Sequence, residues 1–272
     1  MRRARPLLGT LVEIEVDGAT QAAAERAIAA AFEAVSLVQR LMSFHDADSD
    51  VGRINRSAFR TPVTVHPWTA RVLRHAEVLH AATDGLFDCA VGHEFIRRGL
   101  LPADGLDHVS PGGFGAVRLP ADRSVCLTAP VAIDLGGIAK GYAVDRAIAT
   151  LRAAGIRGAT VNAGGDLRVM GDTDQPIYVR IPGGGLLPVG SLRNGAIATS
   201  SSLATIDRGG APHQSPGSPP DRRAYSVVAP SCVVADALTK ILVQTGNPRH
   251  PCFGSFGATA FISVDDLQSV AA

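Results

Sequence analysis

One segment constrains the fold of this chain more than any other: Asp134-Leu135-Gly136-Gly137-Ile138-Ala139-Lys140-Gly141-Tyr142-Ala143-Val144-Asp145. Before it, Val131-Ala132-Ile133 reads as a short apolar strand. After it, Val144, Ala147, Ile148 and Leu151 recur at helical spacing until Gly155 stops the pattern. The chain must therefore pass from strand to helix through two glycines. A helix that opens this way has unpaired N–H groups and the positive end of its dipole at one place, which suits an anion such as a phosphate. Lys140 can add charge to that guest, and Asp134 can hold a sugar hydroxyl or a metal. The plainer alternative is a tight turn with a solvated first-turn lysine, and spacing alone leaves both open. Two known phosphate motifs do not apply. Lys140 is followed by Gly141 rather than Ser or Thr, so this is no Walker A loop, and the third glycine of the dinucleotide fingerprint is missing.

The rest of the chain supplies the partners for this segment. Leu11 to Val16 alternates, with Val12, Ile14 and Val16 on one face, and predicts a half-buried strand ended by Asp17-Gly18. Thr20 is placed to cap a long helix with a stripe from Ala24 to Leu41. Ser43 to Asn55 reads as an acidic loop. Pro67 starts another helix, which stops near Asp84-Gly85, and residues 102–115 read as a surface loop. Two short strands are expected between Ala159 and Met170, broken by Gly164-Gly165. Pro182 to Pro188 reads as a turn, Ala196 to Ser202 and Tyr225 to Ala229 as strands, and 208–223 as a loop without periodicity. Val234 to Gln244 predicts a mostly apolar helix ended by Gly246. Ser255 to Thr259 reads as core strand. Strands and helices mix without regular βαβ alternation, and no repeat or linker divides the chain. The expectation is an α+β fold, mainly antiparallel sheets packed with helices, in one intertwined domain over 1–272.

Bulk properties narrow the function. A chain of 272 residues that is 46% hydrophobic can bury a sizeable core. The net charge is +1 and no basic stripe carries interleaved aromatics, so nucleic acid is not an expected partner. Cys89, Cys126, Cys232 and Cys252 form no CxxC pair and read as reduced thiols of a cytoplasmic protein. Met1-Arg2-Arg3-Ala4-Arg5-Pro6 precedes no apolar run and no lipobox cysteine, and no segment reads as a membrane span.

Other candidate sites are weaker. Asp46-Ala47-Asp48-Ser49-Asp50 looks like the start of a calcium loop, but the glycine comes late at Gly52 and Ser57 stands where Glu is needed. His93-Glu94 lacks the second histidine of a zinc protease helix. His75 and His80 do not share a helical face and read as surface histidines. Ser200-Ser201-Ser202 has no nucleophile-elbow frame. Asp236 is more telling, because an acid inside the apolar run Val234-Ala235-Asp236-Ala237-Leu238 must be paired or bound to a cation. A buried salt bridge and a metal ligand are the two readings.

Taken in order along nearly the whole chain, these segments resemble the FAD:protein FMN transferase (ApbE-type) family. Leu8-Gly9-Thr10 is similar to that family's opening. Leu41-Met42-Ser43 through Ser49 to Asn55 matches its serine-to-asparagine loop. Thr83-Asp84-Gly85-Leu86-Phe87-Asp88 with Val91-Gly92, Asp134 to Asp145, Asn162-Ala163-Gly164-Gly165-Asp166, Ala198-Thr199-Ser200 and Ala235-Asp236-Ala237 complete the series. Each is weak alone; the order makes them specific.

The resemblance implies the following roles. Leu86, Phe87 and Asp88 line a flavin-nucleotide site, with His45 where the family usually has an aromatic. Asp134 and Lys140 contact FAD. The Gly137 carbonyl and the Asp236 carboxylate hold a magnesium ion beside the pyrophosphate, since hard oxygens suit that ion. His213 stands near the chemistry. The implied reaction is phosphoryl transfer: a threonine hydroxyl of a target protein attacks the FMN phosphorus and AMP leaves. Rivals on the same fold are a non-transferring FAD-binding module and an FAD pyrophosphatase. The chain departs from the pattern at Lys240, which replaces a threonine one turn after Asp236. Its ammonium can take over part of the metal's electrostatic role in the transfer step. His213-Gln214-Ser215-Pro216-Gly217 also lacks the family's aspartate, and Leu8 replaces a methionine.

Overall fold

The computed structural model describes residues 1–180, 185–201 and 223–264. The Thr20 hydroxyl accepts a hydrogen bond from the Ala23 N–H and opens helix α1, Gln21–Met42. Its buried stripe follows the predicted one from Ala24 to Val38, but ends on Met42, with Leu41 only half-buried. Before α1, β1 (Arg2–Leu7) and β2 (Thr10–Asp17) form a hairpin, and β2 buries Val12, Ile14 and Val16 on one face. β6 (Gly158–Ala163) and β7 (Asp166–Met170) flank Gly164-Gly165, as the sequence predicts. With β10 (Ala196–Ser201), β11 (Arg223–Ala229) and β12 (Thr259–Val264) they make a seven-stranded sheet in the order β1-β2-β6-β7-β10-β11-β12. Every neighbouring pair in it is antiparallel. The fold is α+β with antiparallel sheets, as expected.

Two smaller sheets lie apart in sequence. β3 (Val63–Thr64), β4 (Val117–Ala121) and β5 (Ser124–Leu127) form one, and β8 (Gln175–Arg180) pairs with β9 (Leu186–Leu192) in the other. The remaining helices are α2 (Asp50–Ser57), α3 (Pro67–Ala82), α4 (Gly92–Arg97), α5 (Ala139–Ala153), α6 (Cys232–Thr245) and α7 (Pro251–Ser255). One continuous apolar core runs from Val12 of β2 through α1, α5 and α6 to Phe253. No helix among the described residues is long and apolar enough to cross a membrane.

Several local expectations are corrected. Val131–Ile133 joins no sheet. The Asn55 side chain takes both strand-forming groups of Ile133, accepting from its N–H at 2.7 Å and donating to its carbonyl at 2.9 Å. The acidic stretch after Ser43 is not loop throughout, because Ser49 accepts from the Gly52 N–H and caps α2. Asp50, one of the calcium-like acids, is buried and accepts from His66 N–H and Thr69 Oγ1, so it fastens α2 to α3. Ser255 ends α7, Gly257 turns with φ of 60°, and the strand starts only at Thr259. Leu186 to Pro188 belong to β9 rather than a turn.

Helices α5 and α6 approach at Gly141, where a Cβ would lie 2.2 Å from the Cys232 carbonyl oxygen and 2.7 Å from Asp236 Cβ. Asp145, one turn further along α5, accepts from the Cys232 and Val233 N–H groups, both at 3.0 Å. These are the first N–H groups of α6, whose own Ser231 makes no side-chain cap. Asp145 therefore caps a neighbouring helix rather than its own, a role normally filled from within the segment. It also pairs with Arg168 of β7. Gly141→Ala should gain a little helix propensity but overpack against backbone that cannot rotate away. We expect a net loss of about 1–3 kcal/mol in urea unfolding; an unchanged or raised midpoint would show that the helices can part without cost.

Candidate functional site

The α5–α6 contact gathers four charged side chains. Asp236 is fully buried on α6, and its Oδ2 accepts from the Gly141 N–H at 2.9 Å. Lys240, one turn on, brings Nζ to 3.2 Å from Asp236 Oδ1. Lys140, in the first turn of α5, brings its Nζ to 3.7 Å from the same oxygen and ion-pairs with Asp166 at the start of β7. Lys240 Nζ also donates to Ser200 Oγ of β10 and to Thr239 Oγ1, both at 3.1 Å. Thr239 Oγ1 donates in turn to the Asp236 carbonyl at 2.7 Å.

The cluster is layered by depth. The carboxylates of Asp236 and Asp166 are 0% and 4% exposed, whereas Lys240 and Lys140 are 30% and 33% exposed. Positive heads thus lie outward over buried negative ones. Asp236 Oδ1 is buried, and the groups that face it are the two ammonium heads, at 3.2 and 3.7 Å. Burial pushes the Asp236 carboxyl up, but Lys140, Lys240 and the Gly141 N–H outweigh it and hold it below the usual carboxylate range. Asp166 ends raised, because burial and the Asp236 charge exceed the help from the lysines. Burial opposes the Lys140 charge, but Asp166 and Asp236 overcome it and raise that lysine above its ordinary value.

Beside the cluster, the Asp134 N–H donates to the Cys89 carbonyl at 2.7 Å, and Asp134 Oδ1 accepts from the Gly136 N–H at 3.0 Å. Asp134 is thereby tied to Cys89, the residue after the predicted loop of Leu86, Phe87 and Asp88. Phe87 itself is in the core, Leu86 is half-buried, and the Asp88 oxygens accept from the Ala90 and Phe114 N–H groups. His45 is exposed on the loop between α1 and α2 and is not among the cluster's partners. His213 lies outside the described residues. The fold thus brings Asp134, Gly137, Lys140, Asp236 and Lys240 to one place. Of the two readings of Asp236, the buried ion pair is present.

Asp166 is the member of the cluster that sequence reasoning did not assign. The Asn162-to-Asp166 segment was visible, but its partner Lys140 is 26 residues away and meets it only through the sheet.

A magnesium ion between Gly137 and Asp236 does not suit this donor set. Lys240 already spans that gap: its stem carbons lie 3.4 to 3.9 Å from a Cβ built on Gly137, and its head is 3.2 Å from Asp236 Oδ1. The other Asp236 oxygen is engaged by Gly141. Magnesium wants near-octahedral oxygen, and here the Asp236 oxygen left for it is flanked by two ammonium groups whose charge would repel the ion. No group of three or more His, Cys, Asp or Glu side chains able to hold a metal occurs among the described residues.

The geometry defines a class: a cluster of two lysines over two buried carboxylates at a helix start, in an antiparallel α+β fold. The sequence profile of the ApbE family matches residues 8–251, and the chain belongs to that family. A Rhodobacter capsulatus protein named FAD:protein FMN transferase is 30% identical over 97% of this chain and 55% of its own length. One of the same name from Klebsiella pneumoniae is 28% identical over 61% of this chain and 54% of its own. The chain spans about half the length of these two relatives. The ApbE protein of Thermotoga maritima has a crystal structure 28% identical in sequence, with a TM-score of 0.76 over 96% of this chain and 93% of that one. The flavin transferase ApbE of Vibrio cholerae, in its H257G form, shares the fold with a TM-score of 0.77 at 23% identity, over 97% of this chain and 93% of that one.

Asp236→Asn removes one anion and leaves Lys240 and Lys140 sharing Asp166. Breaking one side of a buried pair costs about 3–5 kcal/mol at neutral pH. Because the folded Asp236 value is depressed, its stabilisation is present above the ordinary carboxylate range and is lost as pH falls through that lowered value. Asp166, with a raised value, contributes in the opposite direction. The gap between wild type and variant in urea unfolding should therefore close in acid; a gap that is constant with pH would contradict the charge pairing.

Proposed function

We propose that this protein is an FAD:protein FMN transferase, which moves the FMN moiety of FAD onto a threonine hydroxyl of a target protein and releases AMP. The observation that carries the reading is the cluster of Lys140 and Lys240 over buried Asp166 and Asp236, beside the Gly136-Gly137 turn and Asp134. It offers cations to a diphosphate, with an acid in reach of a ribose, while the Gly136, Ile138, Ala139 and Gly141 N–H groups are already taken within the protein. Membership of the ApbE family and the names of its relatives support the same reading.

In this reaction the threonine Oγ attacks the phosphorus of the FMN half. The new O–P bond forms as the bond to the AMP phosphate breaks, and the hydroxyl proton leaves to solvent or to AMP. Such a step is driven by positioning and by neutralising charge on the phosphoryl oxygens. Lys140 and Lys240 supply that neutralisation, and Asp134 with the 86–88 loop orients the nucleotide. His213 is assigned near the chemistry on the resemblance. The magnesium ion of the resemblance is not carried into this mechanism, because the donor set around Asp236 does not suit it. The place of action we propose is the cytoplasm, on the absence of paired cysteines: all four are free.

Incubating the protein with FAD and a threonine-containing peptide from a candidate target should give a peptide heavier by FMN less water, with AMP in equal amount. Release of FMN and AMP without a modified peptide would favour the pyrophosphatase, and intact FAD would favour the binding module. By calorimetry FAD should bind at least about tenfold more tightly than FMN, since the second phosphate adds charge-assisted contacts. Equal affinities would remove the diphosphate site.

A further inference from the structure

We propose that the ammonium of Lys240 stands in for a divalent cation, so that this protein binds the diphosphate of its nucleotide without magnesium. The inference rests on the FAD reading above and concerns how that site neutralises its ligand.

Three observations carry it. The first is position. Lys240 lies across Gly137 and reaches to 3.2 Å from Asp236 Oδ1, so the cation joining these two residues belongs to the protein. The second is the buried Asp236 Oδ1, which the two ammonium heads face at 3.2 and 3.7 Å. An anionic oxygen in that state demands a cation beside it, and the lysine heads are the cations present. The third is the layering. Ammonium groups that are about one-third exposed lie over carboxylates that are 0% and 4% exposed, so an arriving anion meets positive charge first.

Lys240 is also held in place. Ser200 and Thr239 accept from its Nζ at 3.1 Å each, and Thr239 is anchored to the Asp236 carbonyl. A preorganised ammonium loses less freedom on binding than a lysine swinging in solvent. It differs from a metal in kind. It neutralises as a point charge, with two of its three donors already given to Ser200 and Thr239, and cannot bridge two phosphate oxygens in octahedral geometry. A site built this way should tolerate chelators and gain little from added magnesium.

The test is calorimetric titration of the full chain with FAD, once in EDTA and once in millimolar magnesium. The expected result is the same affinity within about twofold in both. Lys240→Met keeps the stem and removes the charge, and should weaken FAD about tenfold or more while leaving riboflavin, which has no phosphate, unchanged. Lys240→Arg should keep most of the FAD affinity. A wild type that binds FAD only with magnesium would overturn the inference and leave the FAD reading standing. No FAD binding in either buffer would sink that reading, and the inference with it. Equal loss of FAD and riboflavin in Lys240→Met would assign the lysine a merely structural role and would also overturn it. Should the methionine variant fail to fold, the chelator comparison on the wild type still decides.

Discussion

The close approach of α5 to α6 at Gly141 is the constraint on which the site depends. Because that residue has no Cβ, the Asp236 carboxylate can sit against the α5 backbone and accept from it. The same approach lets Asp145 reach the first N–H groups of α6 and hold that helix in register. Two acids from two helices thus fix one crossing. Lys140 and Lys240 then converge, because each leaves its helix within about one turn of the contact. The geometry of the charged cluster is a consequence of helix packing, and the sheet contributes Asp166 and Ser200 from β7 and β10 at its floor.

The electrostatics follow from depth. Two carboxylates taken out of water would be costly alone, and burial does push both upward. The two lysines offset that cost unequally. Asp236, next to both and to the Gly141 N–H, ends below the ordinary range, while Asp166 ends above it. The result is a pair of acids kept inside and a pair of ammonium heads kept outside. The arrangement removes the need that a lone buried carboxylate would have for a metal.

Much of this was legible in the sequence where periodicity is strong and local. The stripes of α1, α5 and α6, the Thr20 cap and the β6–β7 hairpin follow from spacing and turn chemistry. The pairing of Asp236 with Lys240 was legible too, because residues one turn apart on a helix share a face. Val131–Ile133 misled because its strand-forming groups go to the Asn55 side chain, 78 residues away, which no local pattern reveals. The Asp145 cap and the Asp166 pair were hidden for the same reason, since both roles exist only once distant elements are packed. The position of the His213 loop lies outside the described residues, so its part in the chemistry rests on resemblance.

The most direct test of the central claim is a crystal structure of the FAD complex grown with manganese, which scatters anomalously and takes magnesium sites. The account predicts Lys240 Nζ in hydrogen-bond contact with the diphosphate and no anomalous peak between Gly137 and Asp236. A manganese peak bound to Asp236, with Lys240 turned away from the phosphates, would contradict it.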